Sequence, residues 1–125
     1  MQWIAIAVGG AIGAMGRFAV TAYAFPVMAN RFPAGTLAVN LIGSFLIGVC
    51  YILIIEKGSL APEWRNWLMA GFLGAFTTFS TFALDAVNLW QNGHGATALA
   101  YIVISVLGSI AAVVLAMQLT LKLFS

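Results

Sequence analysis

The chain has 125 residues, of which 63% are hydrophobic and only 6% charged, with a formal net charge of +2. A water-soluble domain carries about a quarter charged residues, so this chain has too little polar surface for a globule in water, and its solvent must largely be lipid. The small net charge, with no basic patch, excludes a nucleic-acid partner. A single His and a single Cys leave no metal-ligand cluster and no nucleophile–base pair for an enzyme.

Four spans follow from the charge gaps. Residues 34–55, 66–84 and 86–121 lack Asp, Glu, Lys and Arg altogether, and the N-terminal stretch is interrupted by Arg17 alone. A spanning helix needs roughly 20 apolar residues. The first helix is expected near 2–24. Ala22-Tyr23-Ala24 imitates a signal-peptide cleavage site, but no Lys or Arg precedes the apolar run and Arg17 falls inside it, so a retained helix is expected. Pro26 and Pro33 bracket the first loop, and the second helix is expected near 34–56. Lys57-Gly58 and Pro62 mark the second loop, ahead of a third helix near 64–90. The turn cluster Asn92-Gly93-His94-Gly95 then precedes a fourth helix near 96–123. Trp3, Trp64, Trp67 and Trp90 all fall at span ends, as an interfacial aromatic belt requires. The expectation is one all-α integral membrane domain over residues 1–125.

Small residues and charge bear on assembly. Gly9-xxx-Gly13, with Gly10 and Gly16 nearby, and Ser44-xxx-Gly48 allow close helix approach, for internal packing or for pairing. Four spans place Lys57, Arg65 and Lys122 on one side, against Arg17 and Arg31 on the other. That balance sets no firm orientation. It fits either a chain oriented by a single charge or one that inserts both ways and forms an antiparallel homodimer.

The functional signal lies in residues 71–85, where Thr77, Thr78, Ser80 and Thr81 interrupt a run of membrane-length apolarity. Polar atoms at that depth are costly unless they bond to protein, line a cavity or bind something. Asn40 lies within the second span, with Thr36 one turn before it. Tyr101, Ser105 and Ser109 recur at i, i+4 and i+8, one stripe down the fourth helix. Phe76, Phe79 and Phe82 step by three along the third. Singly, each hydroxyl fits a bond to its own helix and each ring fits core packing. Together they mark a polar path. Hydroxyl and amide groups are donors, and ring edges are positive, so the path suits an anion. Neutral donors also bind weakly enough for release, which conduction needs. The deep region lacks the carboxylates of a cation or proton path. Cys50 reads as a small buried hydrophobe, and His94 as a solvated loop residue without metal partners.

Gly9-Gly10-xx-Gly13-xxx-Arg17, Gly35-Thr36-Leu-x-Val-Asn40, Gly71-Phe-x-Gly74-xx-Thr77-Thr78-Phe79-Ser80-Thr81-Phe82 and Tyr101-xxx-Ser105-xxx-Ser109 occur in that order. With these four motifs the chain resembles the small bacterial fluoride channels, the Fluc or CrcB family, over essentially its full length. The resemblance implies a dual-topology antiparallel homodimer in the bacterial inner membrane. It implies a third helix broken near Ala75–Phe79, and two passive, fluoride-selective pores that export cytoplasmic fluoride and so confer resistance to it. By resemblance Phe79 and Phe82 line the pores, with Asn40, Thr36, Ser80 and Thr81, and Tyr101, Ser105 and Ser109 form a polar track. Gly74 and Thr77 match positions whose backbone carbonyls hold a structural sodium ion (Na+) at the dimer interface. Arg17 matches a vestibule arginine, while on its own terms it reads equally as a snorkelling anchor. Asp85 stands where relatives often carry Glu, so a part in ion entry is only a weak expectation. A four-helix multidrug transporter would need a carboxylate in its first span, and residues 2–24 contain none. A non-conducting assembly subunit is the other alternative, and it predicts no ion flux.

Overall fold

The computed structural model describes residues 1–26 and 32–124. Arg31, counted in the charge balance, lies outside the described residues. Helix α1 runs over Gln2–Ala19 and continues through Val20–Ala24 in wider, π-helical turns. Helix α2 covers Ala34–Cys50 and likewise continues through Tyr51–Glu56. Helix α3 joins a π-helical Arg65–Leu73 to one α-helical turn, Gly74–Phe76. After two extended residues comes α4, Phe79–Gln91, and then α5, Gly95–Leu123. Four stretches are long and apolar enough to cross a membrane: Gln2–Ala24, Ala34–Glu56, Arg65–Gln91 and Gly95–Leu123. The third contains both α3 and α4, so the chain has four spans and five helices among the described residues, with the break where the hydroxyl-rich stretch lies.

The ends follow from local chemistry. Pro33 stands just before α2, where a proline costs no helical hydrogen bond. Gly58 and Gly93 follow α2 and α4 with φ of 64° and 82°. A side chain there would be strained, and glycine closes both turns without penalty. Trp3, Trp64 and Trp90 are exposed at span ends, available to headgroups.

Packing is backbone against backbone where glycines allow it. A Cβ on Gly9 would strike the Trp67 carbonyl, and one on Gly13 the Phe72 carbonyl. From the other side, a Cβ on Gly71 would come within 3.1 Å of the Ile6 carbonyl. The Gly9-xxx-Gly13 pattern therefore seats α1 on α3 inside one chain. Gly48 does the same for α2 on α5, where its Cβ would lie 2.8 Å from the Val113 carbonyl. A third contact closes the bundle: Phe82, Ala86 and Leu89 of α4 pack on Ala98 and Tyr101 of α5, flanked by Phe32 and Leu37. The outward faces, such as Ile4, Val8, Ile12 and Met15 on α1 and Leu99, Val103 and Ile110 on α5, are exposed and apolar. Lipid is the solvent that suits them.

Candidate functional site

The third span stops being helical at Thr77 and Thr78, whose ψ angles are 158° and 122°. A break at this depth strands the last carbonyls of α3 and the first amides of α4, and each needs a partner. The Thr77 N–H and hydroxyl both donate to the Leu73 carbonyl, at 3.2 and 3.0 Å. Arg17 Nε reaches across from α1 and donates to the Ala75 carbonyl at 3.0 Å. Asn40 of α2 holds Thr78 from both sides. Its Oδ1 accepts from the Thr78 N–H at 2.8 Å, and its Nδ2 donates to the Thr78 carbonyl at 3.1 Å. Thr78 Oγ1 in turn caps α4, accepting from the Thr81 N–H at 3.2 Å and donating to Thr81 Oγ1 at 3.1 Å. An N-cap threonine of this kind contributes about 1 kcal/mol.

These bonds divert two amides. In a continuous α-helix the Thr78 and Thr81 N–H groups would close turns onto the carbonyls of Gly74 and Thr77. Here one goes to Asn40 and the other to the Thr78 hydroxyl. The Gly74 and Thr77 carbonyls are thereby released from their usual helical donors.

Two cavities adjoin the break. The first, about 370 Å³, is lined by Asn40, Thr77, Thr78, Phe79, Phe82, Ser105 and Ser109, with Gly43, Ser44 and apolar side chains completing the wall. Among the described residues no carboxylate stands in that wall. Ser105 Oγ is buried without a hydrogen-bond partner among the described residues. Such a group is costly unless something occupies it. The Asn40 amide carries two N–H donors, and Thr78 takes one of them. The second cavity, about 320 Å³, is lined by Arg17, Thr21, Thr36, Thr78, Thr81 and Asp85 among others. Thr78 borders both. A relay of contacts also joins their walls: Phe82 lies 5.2 Å from the Tyr101 ring, and the Tyr101 hydroxyl donates to Asp85 Oδ2 at 3.1 Å.

The expected residues therefore divide. Asn40, Phe79, Phe82, Ser105 and Ser109 come together at the first cavity, and Thr36, Thr81, Arg17 and Asp85 at the second. Tyr101 is fully buried between Phe82 and Phe32 and stands in neither wall. Ser80 is exposed at the start of α4, its Oγ 3.5 Å from Thr78 Oγ1, and also stands in neither. The expected ladder of three phenylalanines is split by the break. Phe76 stacks on Phe72 at 5.5 Å before it, whereas Phe79 and Phe82 pair at 5.6 Å after it. Arg17 is half-buried, and its Nε is bonded to the Ala75 carbonyl across the break. The sequence reading marked Thr78 as part of the polar segment but not as the cap of α4, a role that Thr78-x-x-Thr81 directly before an apolar run signals. Gly43, against which Thr77 sits, leaves no sequence signal of its own.

Comparison with known proteins decides the family. Residues 4–117 match the family model described as "CrcB-like protein, Camphor Resistance (CrcB)". The chain belongs to the CrcB family. It is 53% identical over 121 residues to the "Fluoride-specific ion channel FluC" of Saccharophagus degradans, covering 97% of this chain and 90% of that one. A Hahella chejuensis relative of the same name is 47% identical over 115 residues, covering 92% and 91%. A third, from Hydrogenovibrio crunogenus, is 43% identical over 125 residues, covering 100% and 95%. These CrcB relatives are named as ion channels, a class without enzymatic chemistry. With four spans of membrane length, the chain is a multi-pass membrane protein.

Proposed function

We propose that this CrcB protein is a passive fluoride channel that lets cytoplasmic fluoride leave a bacterium across the inner membrane and so confers resistance to it. The first cavity carries the reading: among the described residues it is lined by donors without a carboxylate, and the buried Ser105 hydroxyl has no partner. Fluoride is small and strongly hydrated, and it gives up water only where donors replace it. Ser105, Ser109 and the second N–H of Asn40 supply those donors, and the rims of Phe79 and Phe82 offer positive ring edges. Because α4 begins at the cavity wall, the positive end of its dipole adds to the attraction. At the other mouth Thr36, Thr81 and Arg17 receive the ion, with Tyr101 holding the Asp85 carboxylate to one side. No coupling residue is needed, since an inside-negative potential favours anion exit by about 2.3 kcal/mol per charge per 100 mV.

The channel works, on this reading, as an antiparallel homodimer with two pores. Phe79 is 78% exposed beside its cavity, and a second copy would complete that wall. The Gly74 and Thr77 carbonyls fit a sodium ion at the same interface: they are neutral oxygens released from helical donors, and a monovalent cation satisfies such groups. A bound sodium ion would supply fixed positive charge between the two breaks. The test is fluoride-electrode recording of efflux from proteoliposomes under an imposed voltage, with chloride as control. Rapid fluoride efflux with no chloride efflux is expected. Vesicles that stay tight to fluoride overturn the reading and favour the non-conducting alternative.

A further inference from the structure

We propose that Gly43 is a positioning residue for the helix break: its missing side chain is the seat for the Thr77 methyl group, and that seat sets the backbone of Thr77 and Thr78. A Cβ on residue 43 would fall on Thr77 Cγ2, while the next atoms, Phe76 Cδ2 at 3.5 Å and Thr77 Cβ at 3.6 Å, lie at ordinary contact distance. Of these neighbours only the methyl is in the way. Nor is it free to swing aside, because the hydroxyl on the same Cβ donates to the Leu73 carbonyl at 3.0 Å. A β-branched side chain has few χ1 alternatives, so moving the methyl means breaking that bond or shifting the backbone.

The shift would matter because of what adjoins it. Asn40, three residues earlier and so on the same face of α2, grips Thr78 through both backbone groups. Gly43 and Asn40 together form a template of one helical turn against which Thr77 and Thr78 lie extended. Pushing Thr77 off this template pulls on the Thr78 cap of α4, and with it on Phe79 and Phe82. It also turns the Thr77 carbonyl. The consequence for flux rests on the fluoride-channel reading above, whereas the seat itself does not.

The experiment is a double-mutant cycle of Gly43→Ala with Thr77→Ser, which deletes the obstructing methyl but keeps the hydroxyl bonded to Leu73. In the Thr77 chain, Gly43→Ala lowers fluoride efflux about tenfold, the size of loss typical of one overpacked methyl. In the Thr77→Ser chain the same change costs less than about twofold. The thermal midpoint of the purified protein in detergent follows the same pattern. Equal losses in both backgrounds, or no loss in either, overturn the proposal, because Gly43 would then act through general helix packing or not at all. If Gly43→Ala alone cannot be purified while the double variant can, the seat is supported; failure of both counts against it. Should the wild-type chain pass no fluoride, the channel reading falls, and the thermal midpoints alone decide the seat.

Discussion

At the level of single residues, two phenylalanines that look alike in sequence have different surroundings, and this separates stability from conduction. Phe82 is buried against Tyr101 at 5.2 Å, whereas Phe79 is 78% exposed. Replacing Phe79 by Ile removes the ring quadrupole but little packing, so the fold should hold within about 0.5 kcal/mol. On the proposed mechanism fluoride efflux falls sharply nonetheless. Phe82→Ile should cost efflux as well, and in addition about 1 kcal/mol of stability from lost aromatic contact. Efflux and thermal midpoint, measured side by side, check both; a Phe79 variant that conducts like wild type removes the ring from the path. Asn40 reads in the sequence as a donor for the ion, and the structure gives it a second task. Its substitution by Asp keeps an acceptor for the Thr78 N–H, loses the donor to the Thr78 carbonyl and puts an anion in the cavity wall. Efflux should fall at least about a hundredfold, since facing a carboxylate with a part-buried carbonyl costs about 3 kcal/mol. Wild-type efflux from that variant would contradict both tasks.

At the level of helices, the elements were legible and their fastenings were not. Gaps in charge and the Pro and Gly punctuation put the spans within a residue or two of Gln2–Ala24, Ala34–Glu56, Arg65–Gln91 and Gly95–Leu123. The residues that break the third span were equally visible, because Thr77-Thr78-Phe79-Ser80-Thr81 has no place on a lipid-facing helix. What holds the break open was hidden. The bonds Arg17 to Ala75 and Asn40 to Thr78 join residues 58 and 38 positions apart, and no periodicity in one helix reports a contact with another. The glycine stripe on α1 was legible as close packing, but its partner was not. That partner is α3, and the geometry discriminates among the glycines. Gly13→Ala drives a Cβ into the Phe72 carbonyl and Gly9→Ala into that of Trp67. Each should lower stability by about 1–3 kcal/mol, since backbone cannot step aside as a side chain can. Gly10→Ala meets nothing nearer than the Gly71 carbonyl at 3.9 Å. It should be neutral, or stabilising by up to about 1 kcal/mol through helix propensity. Thermal unfolding in detergent ranks the three, and an equal loss at Gly10 would show that the whole stripe, not the α3-facing edge, carries the packing.

At the level of the whole molecule, no span has more than 28% of its most apolar window buried within the chain. Lipid or a second copy must cover the rest. The proposed second copy belongs on the face of the break, where the Phe79 ring is 78% exposed and Gly74 is exposed. The nearly balanced charges then bear on how that copy is oriented. The N-terminus, the second loop and the C-terminus share one side of a four-span chain, and the first and third loops share the other. Lys/Arg asymmetry near the spans sets orientation, so a chain this evenly matched is open to bias by very few substitutions. Ser59→Lys with Leu60→Lys loads the second loop, and Gln91→Lys with His94→Lys loads the third; all four positions are exposed. Each pair should force a single, opposite orientation. If the working unit is antiparallel, either biased chain alone should lose most fluoride efflux from cells, and co-expressing the two should restore it through mixed dimers. Full efflux from one biased chain, with its orientation verified by labelling a terminal tag from one side, would rule the antiparallel pair out while leaving the pore within each chain intact.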